Sequence, residues 1–330
     1  MSRSMQSAAP MRRSRLAATV VLLATTTCNA LKVTVVGGSG FLGSRVCKAL
    51  VAEGADVTSV SKSGRAPSWI AEEPFAKKVS WIAADLLSAD EAALDAAMAS
   101  ADSVVSCVGV VDPNPAVLRR GNGDANVKAF AAAQRAGVGR AVYVSVASEV
   151  MACEENWLPF AKDEFGAYFA GKRAAEQAAA DAVGGDATKL CVLRPTFIYG
   201  GESFEVPLPG KFVAPRVSAA YGRAVEEVLT LPPIQALADA LPGLAKVALR
   251  PPVSVEAVAT ACAKAALGAL TTGDATRRAV GTLDGTEPIR AAAGQPPPKD
   301  LSEGLDRALD ELGDQTEKLL NWVQQKIDGK

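Results

Sequence analysis

A β-branched run that breaks on glycines and resumes as a helix pattern constrains this chain more than any other feature. Residues 33–43 read VTVVGGSGFLG, with Gly37, Gly40 and Gly43 in the spacing G-x-x-G-x-x-G. In such a turn the first glycine allows the tight reversal, the second lets a pyrophosphate approach the backbone, and the third lets helix and strand pack closely. The stretch therefore predicts a dinucleotide site at the first strand–helix junction.

The residues that follow alternate between strand and helix patterns. Strands are predicted at 33–36, 57–60, 79–83, 103–108, 141–146 and 189–193, and helices at 41–53, after Ser88, and at 123–136 and 166–183. Apolar, β-branched strands separated by helices indicate a parallel sheet covered on both faces. The predicted fold class is thus α/β, a doubly wound parallel sheet with a small, mostly helical C-terminal region.

Composition excludes several classes of function. The chain has 330 residues, a net charge of −1 and no histidine. Serine–histidine and cysteine–histidine nucleophile systems are therefore excluded, and no basic region indicates nucleic acid. The six cysteines show no C-x-x-C spacing, so we expect neither a bound metal nor a disulfide framework. Any acid or base must be Tyr, Lys, Asp, Glu or a thiol.

The end of the second strand bears on the choice of dinucleotide. NAD-preferring folds place Asp or Glu there, whereas this chain has Ser61, Lys62 and Arg65. Two cations and nearby hydroxyls suit a 2′-phosphate, so NADP is predicted and NAD stays possible; a solvated basic loop is the alternative. Asp85, after the third strand, is a candidate contact to the adenine edge or a carboxylate without a ligand.

Tyr168 and Lys172 are the candidate catalytic pair. Four residues apart on the predicted helix 166–183, they share one face. We expect the ammonium to lower the pKa of the phenol toward the range of a working acid or base. The lysine could also hold the nicotinamide ribose. The alternative is an exposed pair on an amphipathic helix.

The ends of the chain differ from its centre. Residues 1–30 contain four arginines, no acidic residue and the apolar run 16–28, which fits an organelle presequence or a secretory signal.

The apolar region 201–250 is interpreted as a lid over a prenylated substrate, a membrane contact or an ordinary helical subdomain. A linker is predicted at 286–300, followed by an amphipathic helix at 301–327 that docks on this protein or on a partner.

Seven motifs, in chain order, resemble the atypical and extended short-chain dehydrogenase/reductases. They are GGSGFLG, SVSKSGRAP, WIAADLL, VYVSVAS, YFAGKRAAE, LRPTFIYG and RPPVSVEAVA, within residues 31–285. The nearest branch contains a fungal mitochondrial coenzyme Q biosynthesis protein and plastid relatives in plants. The Rossmann-fold accessory subunit of respiratory complex I is a more distant relative.

The resemblance implies a set of cofactor contacts and an incomplete catalytic set. The cofactor contacts are Gly37, Ser39, Gly40, Phe41, Leu42, Gly43, Ser61, Lys62, Arg65, Asp85, Val108, Lys172 and Pro195. Tyr168 and Lys172 match the catalytic pair of the family. The catalytic serine of extended members falls on Ala147, so Ser145 and Ser148, which flank it, become the candidates.

The predicted function is an NADP(H)-binding oxidoreductase-like protein of quinone or isoprenoid-lipid metabolism, with a hydrophobic substrate such as a quinone precursor. One alternative is a non-catalytic, nucleotide-stabilised assembly factor or subunit of a membrane complex, contacted through 201–250 or 301–327. A second alternative is a sugar-nucleotide epimerase or reductase. The leader and the resemblance predict a mitochondrial location, with the plastid and the secretory pathway as alternatives.

Overall fold

The computed structural model describes residues 30–88, 91–153, 162–201, 217–270 and 281–295, together with Gly313 and Glu317. The predicted leader, the part of the lid region at 202–216 and nearly all of the predicted helix 301–327 lie outside the described residues. No helix in the described ranges is long and apolar enough to cross a bilayer.

The centre of the fold is a parallel sheet. The strands are β1 (Lys32–Val36), β2 (Asp56–Ser61), β3 (Val79–Ala83), β4 (Ser103–Ser106), β5 (Arg140–Val144), β6 (Leu190–Arg194), β7 (Ile198–Tyr199), β8 (Val253–Ser254) and β9 (Thr282–Asp284). Seven of them form the sheet in the order β3-β2-β1-β4-β5-β6-β9, while β7 and β8 form a separate parallel pair. The six predicted strands are confirmed; the short edge strand β9 was not predicted.

The strand order reverses at the centre of the sheet. β1 pairs with β2 on one side and β4 on the other, all in parallel register. The connections after these two strands therefore leave in opposite directions and open a crevice at their carboxyl ends. Since β4 is buried along its whole length and β1 along all but its first residue, these ends are held rigidly.

Helices cover both faces of the sheet. They are α1 (Phe41–Ala52), α2 (Glu91–Met98), α3 (Pro115–Arg119), α4 (Ala125–Ala136), α5 (Ser148–Met151), α6 (Lys162–Ala182), α7 (Ala219–Leu229), α8 (Pro232–Ala240), α9 (Gly243–Ala248), α10 (Val255–Ala266) and α11 (Thr286–Ala293). α1, α10 and α11 pack side by side on one face, and α2, α4 and α6 on the other. The predicted doubly wound architecture is confirmed.

The predicted linker 286–300 is wrong over its first half. Residues 286–293 form α11, which begins after Gly285 and ends at Gly294, both with positive φ. Ile289 is fully buried there, and the helix packs against α10. The prolines that suggested a linker begin only at residue 296. Burial of an apolar helix face thus outweighs the flexibility that small residues would otherwise allow.

Candidate dinucleotide site and active site

The glycine turn has the backbone geometry that a bound pyrophosphate requires. Gly37 has a φ of +81°, a conformation that favours glycine, and its N–H donates to the carbonyl of Val60 at 2.8 Å. A Cβ atom on Gly43 would lie 2.2 Å from the Gly37 oxygen, so only glycine allows this contact between helix and turn. These two glycines shape the turn as the sequence predicted.

Gly40 has a different role in the same turn. It is the N-cap of α1, in extended conformation, and caps the helix with no side-chain hydrogen bond. A Cβ here would meet only the Gly37 oxygen, at 3.2 Å. A side chain at position 40 therefore needs the Gly37 carbonyl to shift by only a few tenths of an ångström, far less than one at position 43. Position 40 also adjoins a helix N-terminus, where an anionic phosphate is favoured.

Gly38 was not singled out from the sequence. A Cβ on it would lie 2.2 Å from Ser59 Oγ and 3.1 Å from Cys47 Sγ, so this glycine serves packing between the turn, β2 and α1. Val108, a predicted cofactor contact, lies under the turn, because its Cγ2 would be 3.1 Å from a Cβ on Gly37. Leu42 is buried beneath the first turn of α1.

The residues after β2 come together beside the glycine turn. Ser63 Oγ lies 3.5 Å from both Ser39 Oγ and Ser61 Oγ, which joins the end of β2 to the turn. Lys62 and Arg65 are exposed. These side chains form a basic, hydroxyl-bearing rim where the ribose of a dinucleotide would lie.

Asp85 lies in this rim as well. Its Oδ2 is 3.3 Å from Lys62 Nζ, and its Oδ1 accepts from the Leu87 N–H at 3.1 Å. The backbone hydrogen bond, with help from the lysine, lowers the pKa of Asp85. Asp85 is thus a permanent anion beside Lys62, a pairing that the sequence pattern did not indicate.

Tyr168 and Lys172 lie on α6 near the carboxyl end of β5. Lys172 is 5% exposed, and its Nζ donates to the Val144 carbonyl at 3.1 Å. The same Nζ is 5.7 Å from the centroid of the Tyr168 ring and 5.2 Å from that of Tyr143. The pair shares one face of the helix, as predicted, with Lys172 buried and Tyr168 half-buried.

The pKa of the Tyr168 phenol shifts in the direction opposite to the one expected from the sequence. Burial raises the pKa of Tyr168 to about 12. Burial also lowers the pKa of Lys172 to about 8, against the opposing influence of the Glu176 carboxylate. Loss of hydration therefore sets the direction of both shifts, and Tyr168, like an ordinary tyrosine, is a protonated donor near neutral pH.

Two close glycine contacts bring α6 to this position. A Cβ on Gly171 would lie 2.9 Å from the Gly123 nitrogen, so the helix crosses the π-helical turn Arg120–Asp124 with backbones nearly touching. A Cβ on Gly109 would lie 3.6 Å from Lys172 Nζ and 3.3 Å from Asn122 Oδ1. The lysine and the asparagine thus line the same space at the end of β4.

Asn122 is a site residue that the sequence analysis missed. Fully buried, it donates to the carbonyls of Val110 and Leu118 and accepts from the Val110 N–H at 3.2 Å. It holds the segment after β4 against the π-helical turn. The available signal was an asparagine between two glycines, Gly121 and Gly123, directly before a predicted helix, since Asn at such a place commonly bonds neighbouring backbone groups.

The two candidate serines differ in placement. Ser145 is 5% exposed, and its Oγ has no hydrogen-bond partner among the described residues. Ser148 is exposed at the start of α5, where its N–H donates to Asp284 Oδ1 at 3.1 Å. Ala147 is buried between them, its N–H bonded to the carbonyl of Pro195 at 2.9 Å. An unpartnered buried hydroxyl favours Ser145 as the residue that binds a ligand.

These features fit a nicotinamide dinucleotide. The turn at Gly40 would take a pyrophosphate and the rim after β2 would take a ribose. At the carboxyl end of β5, Lys172 is buried and the Ser145 hydroxyl has no partner among the described residues. The fold and the site define a Rossmann-type dinucleotide-binding protein.

Comparison with known proteins gives the family. The profile of the NAD dependent epimerase/dehydratase family matches residues 33–266. The chain belongs to this family, which is consistent with the suspected short-chain dehydrogenase/reductase branch, and its cofactor class is a nicotinamide dinucleotide.

Two curated relatives cover parts of the chain. An uncharacterised chloroplastic protein of Arabidopsis thaliana is 39% identical over 182 residues, 54% of this chain and 55% of that protein. MIOREX complex component 2 of Saccharomyces cerevisiae is 36% identical over 85 residues, 25% of this chain and 30% of that protein. The chain therefore spans about half the length of the first relative and less than a third of the second.

Among solved structures, the Bordetella bronchiseptica enzyme WbmH in complex with NAD+ is similar. The sequences are 16% identical, the TM-score is 0.48, and the match covers 77% of this chain and 75% of that one.

Proposed function

We propose that this protein is an NADP(H)-dependent oxidoreductase of quinone or isoprenoid-lipid metabolism. The observation that carries the proposal is the group at the end of β5. There, Lys172 Nζ donates to the carbonyl of Val144, and the buried hydroxyl of the next residue, Ser145, has no hydrogen-bond partner in the described part of the chain. A hydroxyl in that state is suited to binding an oxygen of a ligand. Tyr168, protonated at neutral pH, lies on the same helix face as the lysine.

The roles of the side chains follow from their protonation and burial. A bound nicotinamide supplies or accepts the hydride. The Tyr168 hydroxyl donates a proton to a substrate carbonyl oxygen, and Ser145 Oγ donates a hydrogen bond to the same oxygen. Lys172, with a pKa lowered to about 8, holds the ribose hydroxyls and can return a proton to the phenolate. Asn122 positions the strand segment beside the lysine.

The proposed substrate is apolar. Helices α7 to α9 in the lid region carry apolar side chains of which most are half-exposed, and Leu237 is 54% exposed. Of all residues in α7 and α8, only Gly222, Ala224, Glu226 and Ala238 are buried. A surface of this kind suits a prenylated or quinone-type molecule, or contact with a membrane-associated complex.

We propose NADP(H) as the preferred dinucleotide. Lys62 and Arg65 are exposed beside the ribose position, and Asp85 is held by Lys62 and Leu87. Replacing both cations, in Lys62→Ala/Arg65→Ala, is expected to weaken NADPH binding about tenfold or more while changing NADH binding little, because only NADPH has the 2′-phosphate. Isothermal titration calorimetry with both dinucleotides measures these changes in affinity.

Lys77→Ala/Lys78→Ala removes two exposed cations elsewhere and serves as the control. Equal losses for the two dinucleotides would contradict the assignment.

An organelle is the proposed location. The arginine-rich leader supports it, and the curated relatives are a chloroplastic protein and a component of the MIOREX complex. The mitochondrion is preferred, with the plastid as the alternative.

A non-catalytic, nucleotide-stabilised assembly factor is the second candidate. It is favoured by Ala147, which removes the hydroxyl of the family's catalytic serine and is itself buried. The yeast relative is a complex component by name. In this case the nucleotide stabilises the fold and no turnover takes place.

A substrate assay tests the proposal directly. Purified protein is expected to oxidise NADPH in the presence of a short-chain quinone or a prenylated carbonyl compound, followed by absorbance, and to leave UDP-sugars unchanged. Turnover of a UDP-sugar would instead support a sugar-nucleotide epimerase or reductase. Nucleotide binding without turnover of any of these compounds would favour the assembly factor.

A further inference from the structure

A groove runs along the outer face of α1, on the side of the helix away from the sheet. It encloses a cavity of about 680 Å³ between α1, α10 and the segment that leads into β3. Its lining includes Phe41, Ala49, Trp69, Phe75, Ala259 and Thr260. Apart from Phe41, which was predicted as a cofactor contact, none of these residues has a role in the proposed reaction.

The groove has an apolar floor and a charged rim. Ala49 and Ala259 line the groove where α1 packs against α10, and Trp69 stands in the opposite wall with 54% of its surface exposed. At the rim, Arg45 pairs with Glu256 at 3.3 Å, and Lys48 pairs with Glu73 at 2.6 Å. Because the rim charges already pair with one another, the groove suits an apolar helix face better than a charged ligand.

We propose that residues 301–327 of this chain dock in the groove as an amphipathic helix. The segment carries an apolar stripe at helical spacing, formed by Leu301, Leu305, Leu309, Leu312, Leu319, Leu320, Val323 and Ile327. Gly313 and Glu317 are the two described residues of the segment, and both are helical and exposed. Gly313 lies at the edge of the stripe and Glu317 beyond it, so their exposure leaves the apolar stripe free to face the groove.

The end of α11 places this segment within reach. The carbonyl of Ala293 accepts from Lys264 Nζ at 3.1 Å, so the chain leaves α11 beside the last turns of α10. Thr260, a lining residue, is one helical turn before Lys264 on α10. The connection between residues 295 and 301 can extend to about 19 Å. That length exceeds the distance of about 10 Å between the axes of two packed helices, so the connection can pass over α10 to the groove. Docking within one chain therefore needs no rearrangement of the described fold.

Tethering also favours this occupant over a separate molecule. A short connection holds the segment near the groove at an effective concentration in the millimolar range, which a free partner rarely reaches. A stripe with no surface to cover would otherwise expose eight large apolar side chains. The groove supplies that surface on the same chain.

Hydrogen–deuterium exchange on the full chain tests the proposal. Peptides from 301–327 are expected to exchange at least about tenfold more slowly than the same segment as a free peptide. Trp69→Ser, at an exposed position, and Leu309→Gln/Leu312→Gln, within the stripe, should each remove most of that protection. Glu311→Gln/Asp314→Asn, on the opposite face of the helix, is the matched control and should retain it.

Three results would overturn the proposal. The first is exchange of 301–327 at the free-peptide rate in the unmodified chain. The second is protection that persists in Trp69→Ser, which would place the segment elsewhere on the protein. The third is protection that rises with protein concentration, which would show that the groove binds the segment of a second copy.

Discussion

Gly40→Val is expected to leave the fold intact and to abolish nucleotide binding. A Cβ at position 40 lies 3.2 Å from the Gly37 oxygen and within 4 Å of no other described atom, beside the N-terminus of α1 where the pyrophosphate is expected. A shift of the Gly37 carbonyl by a few tenths of an ångström relieves this contact, so we expect a small loss of stability and a large loss of nucleotide affinity. We expect the dissociation constant for NADPH to rise at least about a hundredfold, a loss of about 2.7 kcal/mol of binding free energy.

Calorimetry and thermal unfolding measure both parts of this result. In the unmodified protein, NADPH in excess should raise the unfolding temperature, and in Gly40→Val it should not. Gly281→Val is the matched control, because no atom of the described residues lies within 4 Å of a Cβ at that position. Gly43→Ala provides the contrast, since its Cβ would lie 2.2 Å from the Gly37 oxygen and should destabilise the fold itself. A folded Gly40→Val that binds NADPH normally would mean that the glycine turn serves packing alone.

Tyr168→Phe is expected to reduce turnover by about a hundredfold to ten-thousandfold while nucleotide affinity changes less than about twofold. The substitution removes a single hydroxyl, which is protonated at neutral pH as in an ordinary tyrosine and whose pKa burial raises further, to about 12. The ring, which lies 5.7 Å from Lys172 Nζ, is retained. The lysine and the nucleotide contacts therefore keep their places.

The quinone assay and calorimetry separate these two effects. Tyr199→Phe is the control, because it removes a phenol hydroxyl that donates to the Glu226 carboxylate instead. The comparison can also be made in cells that lack the endogenous protein. If Tyr168→Phe restores quinone levels fully and Gly40→Val does not, the nucleotide site is needed without proton transfer. That pattern would favour the assembly factor over the oxidoreductase.

Local patterns predicted the sheet and the turn well. Strands β1 to β6 are short, apolar and β-branched, so their periodicity is visible in any window of the sequence. Gly37 is required because its φ is positive, and Gly43 is required because it packs against the Gly37 oxygen, only six residues away. Both requirements are local in the sequence. β9 escaped prediction because three residues at a sheet edge carry too little pattern. Helix α11 was not predicted because its burial depends on packing against α10, which is distant in the sequence.

The sequence identified which residues would form the candidate site, but not how deeply they are buried or which groups they contact. Spacing placed Tyr168 and Lys172 on one helix face, yet the direction of the phenol's pKa shift depends on how deeply the pair is buried. The pairing of Lys62 with Asp85 joins the ends of two strands, and spacing along the chain does not report it. Asn122 acquires its role only because α6 crosses the π-helical turn at Gly171.

The sequence by itself determined the α/β alternation, the glycine turn and the set of polar side chains from which a site could be built. These properties depend on backbone conformation and on periodicity, which act over a few neighbouring residues. The tertiary structure alone decided that Ser145 is buried without a partner while Ser148 is exposed, and that Lys172 loses its hydration. Burial is a property of packing between distant elements, and solvation free energy depends on that packing.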